Sequence, residues 1–263
     1  MTSLRPGLLA ENALTQPIPP RRAPETGDVP ARRTGSLMRK YEAAALLPDL
    51  TVSFKTHVAP ATPIFEEAAS AFARGTLIQT VNGAVAIEDL MPGDYVVTAN
   101  GSQPVTWIGS TSYVPGRSSE QTSLAGLTRI TADAFGFGKP SMDVLVGPAA
   151  RLVVRHEKLR RLLGQEAVLA PVHDYEDGDR FLPVTPGGTV QLYHLMVQRH
   201  TLIEVGGIEM ETYHPGKTVG QALGQNMRAL FLSMFPNVTS LDDFGQVSLT
   251  RTQREVIDSL LDT

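Results

Sequence analysis

The chain has 263 residues, with 42% hydrophobic and 19% charged side chains, enough to build one large core or two small ones. Its net charge of −4 argues against a protein whose main partner is nucleic acid. The absence of cysteine excludes disulfides, thiolate metal sites and a cysteine nucleophile. No stretch approaches the roughly 20 apolar residues of a membrane span. Met1–Ala10 lacks the basic start and apolar run of a signal peptide, so a cytoplasmic location is favoured.

Residues 1–36 carry six prolines and few large apolar side chains, too little to offset the entropy of ordering, and are expected as a disordered tail. Charge marks the same boundary. Residues 1–60 have 8 basic and 5 acidic side chains, whereas residues 61–216 have 11 and 17. Residues 37–70 are expected to form a hairpin and short helix. Tyr41–Leu46 and Val52–Val58 flank a Pro48-Asp49 turn, and Pro63 opens a helix to Ala71 whose Glu66 and Glu67 complement its positive end.

Residues 71–216 read as a string of short strands. Thr76–Thr80 and Ala84–Ile87 flank Asn82-Gly83, and Tyr95–Ala99 and Pro104–Ile108 flank Asn100-Gly101, the strongest short-range hairpin signal. Further runs follow at Thr128–Thr131, Asp143–Val146, Arg151–Arg155, Ala167–Pro171, Val190–Val197, Leu202–Val205 and Ile208–Met210. His156–Leu163 fits a brief helix closed by Gly164. The pattern predicts a mainly β domain. From residue 217 onward the period becomes helical. Val219, Leu223, Met227, Leu230 and Met234 recur on one face up to Pro236, and Thr250–Leu261 forms a second helix with Thr250 as its cap. That stripe packs on the β core or presents a face to an unknown protein partner.

Generic site motifs are missing: no phosphate loop, no dinucleotide fingerprint, no paired-histidine zinc helix. The stretch Asp174, Glu176, Asp177, Gly178, Asp179 has hard oxygen ligands but not the spacing of a calcium loop, and reads as a solvated turn. The six histidines are scattered, so neither a metal nor a cofactor is proposed. Trp107 is expected in the core.

Three ordered blocks are more specific. Ala71-Phe72-Ala73-Arg74-Gly75-Thr76-Leu77-Ile78 leads through a hairpin into Ala86-Ile87-Glu88-Asp89-Leu90-Met91-Pro92-Gly93-Asp94. Leu145-Val146-Gly147-Pro148-Ala149-Ala150-Arg151-Leu152 follows, then Tyr193-His194-Leu195 through Arg199-His200 to Glu211-Thr212. Together they resemble the Hint module shared by hedgehog autoprocessing domains and inteins, in its bacterial form.

The resemblance implies a Hint-like β fold and self-cleavage or splicing. A Cys or Ser attacks the preceding carbonyl, and a Thr-x-x-His pair distorts and protonates the scissile amide. By that resemblance the nucleophile position falls on Ala71, the Thr and His positions on Gly147 and Ala150, and the terminal His-Asn pair on about Glu211-Thr212. Only the late histidine is kept, as His200. The expectation is a non-processing Hint-like domain, a pseudoenzyme used for binding or structure. The alternative is self-processing through Ser70, one residue before the vacant position, with His156 or His200 as the acid. In the first reading Ser70 is a helix residue pointing to solvent. A third reading, an exported effector fragment secreted without a signal peptide, has thin support.

Overall fold

The computed structural model describes residues 37–117 and 122–262, which fall in one compact unit. The expected disordered tail, residues 1–36, lies outside the described residues.

The strands are β1 (Met38–Leu46), β2 (Val52–Pro60), β3 (Phe72–Ala73), β4 (Leu77–Thr80), β5 (Gly83–Ala86), β6 (Tyr95–Thr98), β7 (Gly101–Tyr113), β8 (Leu127–Ile130), β9 (Val144–Val146), β10 (Arg151–Arg155), β11 (Ala167–Pro171), β12 (Phe181–Val184), β13 (Val190–Val197), β14 (Leu202–Val205) and β15 (Ile208–Glu211). The α-helices are α1 (Pro63–Glu66), α2 (Glu157–Leu163), α3 (Val219–Ala222), α4 (Gln225–Ser233) and α5 (Arg254–Leu261). The fold is therefore mainly β with C-terminal helices, consistent with the Hint-like β fold that the resemblance implies. No described helix is long and apolar enough to cross a membrane.

All strand pairs are antiparallel, in the order β11-β10-β15-β14-β4-β6-β7-β13-β3-β9-β8-β12. The 13-residue β7 joins the two halves. Its start pairs with β6 and its remainder with β13 and β1. Two Thr-x-Asn-Gly turns are built alike. Thr80 Oγ1 donates to the Gly83 carbonyl and accepts the Asn82 amide at 3.1 Å, and Thr98 does the same for Gly101 and Asn100. Gly83 and Gly101 take φ of 108° and 89°, which a side chain would oppose.

Several expectations are corrected by tertiary contacts. The helix expected from Pro63 to Ala71 stops at Glu66. Beyond it the Ala71 amide donates to the Tyr193 carbonyl and the Ser70 carbonyl accepts from Ala149, so the backbone is drawn into sheet contacts. Ser70 is consequently fully buried rather than solvent-facing. Glu66 does not serve a helix end. Its buried carboxylate takes Arg39 Nε at 3.0 Å and the Ser123 and Leu124 amides at 2.7 and 3.2 Å.

The predicted helix from Thr218 splits into α3 and α4 at Gly224. Thr250 does not cap α5. Its carbonyl accepts the Leu169 amide at 2.8 Å, laying residues 250–252 along the edge of β11, and Gln253 takes the cap position.

The largest core lies between the halves of the sheet. A second, aromatic core joins the β1–β2 hairpin, α1 and α4 through Tyr41, Phe65, Trp107, Tyr213, Phe231 and Phe235. Trp107 is fully buried and its Nε1 donates to the Met234 carbonyl at 2.7 Å. Of the α4 stripe, Met234 is buried here, while Leu223, Met227 and Leu230 are half-buried against the same cluster. A smaller cluster docks α5 on α2 and β11 through Ile257, Leu159 and Val168.

Candidate functional site

The first two sequence blocks meet. Ala71 enters β3 fully buried, and its carbonyl accepts the Gly147 amide at 2.8 Å. The Ser70 carbonyl accepts the Ala149 amide at 3.2 Å, and the Ala150 amide closes a turn onto the Gly147 carbonyl at 3.1 Å. The approach is so close that a Cβ on Gly147 would stand 2.1 Å from the Ser70 carbonyl oxygen. Real Cβ atoms do not sit there, so only glycine fits. Ser70, Ala71, Gly147 and Ala150 thus form one buried locus. Its one side-chain polar atom, Ser70 Oγ, is buried and has no hydrogen-bond partner among the described residues.

Arg151 leads from this locus to the third block. Its Nη1 lies 3.5 Å from both the Ala149 carbonyl and Glu211 Oε2, and its Nη2 is 3.3 Å from Glu67 Oε2. Glu211, on β15, is buried, and its Oε1 is 3.0 Å from His200 Nε2 and 2.8 Å from Arg251 Nε. Burial pushes the Glu211 carboxyl up, but the His200 contact and the two guanidinium groups outweigh it and hold the group down at about 2. His200 Nδ1 accepts the Ser248 amide at 2.9 Å, which places the ring hydrogen on Nε2; that atom is close to Glu211 but outside hydrogen-bond geometry. The chain's last segment thus delivers both a cation and a backbone donor to the site.

Two further histidines lie against this network. His194 Nδ1 donates to the Glu67 carbonyl at 3.0 Å, and its buried Nε2 has no partner among the described residues. Burial lowers its pKa to about 4 against the opposing pull of the Glu67 carbonyl and Glu211. His214 Nδ1 accepts the Gly216 amide at 2.9 Å and Nε2 donates to the Gly245 carbonyl at 3.2 Å. Burial, with lesser contributions from His200 and Arg251, also brings it to about 4. Both rings are therefore neutral at pH 7. Thr212 is not available for chemistry, since its Oγ1 donates to the Thr201 carbonyl at 2.9 Å and accepts the Thr201 amide at 3.1 Å.

Of the residues singled out in the sequence, Ser70, Ala71, Gly147 and Ala150 converge, and His200 joins Glu211 beside them. His156 does not take part. It is exposed and caps α2 by accepting the Lys158 amide at 3.1 Å. The acidic turn also stands apart, with Asp177 Oδ1 accepting the amides of Asp179, Arg180 and Phe181 at 2.8–2.9 Å. Sequence reasoning missed Arg151, His194, His214 and Arg251 as members of the network. Arg151 and His194 lie inside the quoted blocks and were within reach. Arg251 is 40 residues from Glu211 and carries no local signal.

The model of the Hint domain family matches residues 70–217, more than half of the chain. The chain belongs to the Hint domain family. No curated protein matches it.

Proposed function

We propose that this chain is a non-processing Hint domain of the bacterial kind, a pseudoenzyme whose β scaffold, residues 71–216, serves as a binding or structural module. The hairpin region 37–70 and the helical extension 217–263 flank that scaffold. The observation that carries this reading is the packing of the Ser70 carbonyl into the space a side chain at position 147 would need. The resemblance assigns the nucleophile, threonine and histidine positions to Ala71, Gly147 and Ala150, and none of these side chains can attack a carbonyl or donate a proton. The Ala149 amide still polarises the Ser70 carbonyl, but one donor without a nucleophile leaves the peptide intact.

One observation favours a second reading. Ser70 Oγ is a buried, unpartnered hydroxyl at the same locus. As a nucleophile it would attack the Ala69 carbonyl, and among the described residues no base lies within hydrogen-bonding distance to take its proton. Purified parent and Ser70→Ala protein, incubated side by side and followed by intact mass, separate the two. The proposal expects both to stay whole. A new N-terminus at Ser70 in the parent, abolished by the substitution, would overturn it.

A further inference from the structure

Beside the buried network lies an open cavity of about 600 Å3, lined by Arg151, Arg251, Lys217, Gln165, Thr218 and Glu67 among others. We propose that it binds a ligand carrying two carboxylates, either a small organic diacid or neighbouring acidic side chains of a peptide. The proposal does not depend on whether the Ser70–Ala71 peptide is cleaved.

The donors are only partly used. Every contact of the Arg151 guanidinium is long, 3.3 to 3.5 Å, so it can yield donors to a better partner. Arg251 spends Nε on Glu211 and Nη2 on the His214 carbonyl, whereas Nη1 has no partner among the described residues and lies over Gly216, 3.2 Å from where a Cβ would stand. Gln165 Oε1 is engaged by the Thr250 amide at 3.1 Å, which leaves its NH2 group to donate. Lys217 is exposed at the rim and has no partner among the described residues.

Charge agrees with this inventory. Three cations meet two carboxylates, Glu67 and the buried Glu211, leaving the pocket positive in a chain whose net charge is −4. The two guanidinium groups form a recessed cationic floor, with side chains 16% and 21% exposed, and Lys217 forms a separate point above it. The planar fork of arginine matches a carboxylate, and a second carboxylate would answer Lys217. The volume suits an organic body rather than a bare inorganic anion.

The test is calorimetric titration of the full chain at low ionic strength, where charge pairing is least screened. The probes are succinate, a tetrapeptide with two central glutamates, its glutamine counterpart, and inorganic phosphate. A carboxylate probe should bind the parent, and the glutamine peptide should not. Lys217→Gln, at an exposed position, should weaken binding about tenfold, as loss of one charge-assisted contact would. Glu67→Gln removes the competing carboxylate and should tighten it. Tighter binding of succinate than of the acidic peptide identifies a free acid as the ligand, and the reverse order identifies a peptide. The proposal fails if neither carboxylate probe binds, if phosphate binds as tightly, if the glutamine peptide binds equally, or if Lys217→Gln leaves the affinity unchanged.

Discussion

Gly147→Thr places a side chain where the Ser70 carbonyl now sits, and its cost can be worked from the geometry. The new Cβ would start 2.1 Å from that oxygen and 3.2 Å from Leu192 Cδ1. Overpacking of a tight interior costs about 1–3 kcal/mol. Relief requires the two backbones to part, which breaks the Gly147–Ala71 and Ala149–Ser70 hydrogen bonds at about 1 kcal/mol each. The expected loss is about 3–5 kcal/mol, read by urea denaturation as a lower midpoint with an unchanged slope. Gly187→Thr is the control, because a Cβ there meets nothing within 4 Å, and it should cost less than about 1 kcal/mol. A Gly147→Thr protein within about 1 kcal/mol of the parent, or a Gly187→Thr protein equally weakened, would show that position 147 is not sterically closed to a side chain.

Other predictions concern the buried network and the C-terminal extension. Glu211→Gln removes the carboxylate that Arg251, Arg151 and His200 share, leaving cations under-compensated, and should cost about 3 kcal/mol; a loss below about 1 kcal/mol would contradict the network. Because Glu211 is held at about 2 against 4.5 when free, its contribution is present above pH 4.5 and disappears as pH falls from there toward 2. His194 acts earlier. Its folded pKa of about 4 lies below the free value of 6.5, so the unfolded chain binds the proton first and stability falls by about 1.4 kcal/mol per pH unit between 6.5 and 4. His214, also held at about 4, adds an equal slope, so His194→Gln should remove about half of the slope over that segment of a stability–pH curve, and an unchanged slope would count against a buried neutral ring. Truncation after Gly216 removes Phe231, Met234, Phe235 and Phe244 from the aromatic core and should leave an unfolded product by circular dichroism, whereas a folded product would assign that stripe to an interface.

Much of the fold is legible where local chemistry and tertiary packing agree. The two Asn-Gly turns specify hairpins because positive φ and a threonine staple coincide there. Arg151–Arg155, Ala167–Pro171, Val190–Val197 and Leu202–Val205 emerge at the expected bounds, each a β-rich run between turn signals. Legibility fails where distant backbone competes. Glu67–Ser70 has helical propensity, yet sheet contacts to residues about 80 and 120 positions away end the helix. The strand Phe181–Val184 hides behind Pro183, which is tolerated because β12 pairs on one side only. The candidate site divides the same way. The positions that the resemblance assigns, Ala71, Gly147 and Ala150, lie in contiguous sequence blocks, so they could be named in advance. The ion network depends on Arg251, brought to Glu211 by a segment that runs along β11 with no periodic signal.

The central claim is that the Ser70–Ala71 locus keeps the Hint scaffold without its reaction. Intact mass of the purified full chain, followed over days at neutral pH with and without hydroxylamine, tests it most directly, since hydroxylamine traps any ester formed by an acyl shift. The prediction is a single 28.4 kDa species under both conditions. Two complementary fragments with a junction on either side of Ser70, appearing faster with hydroxylamine, would contradict it.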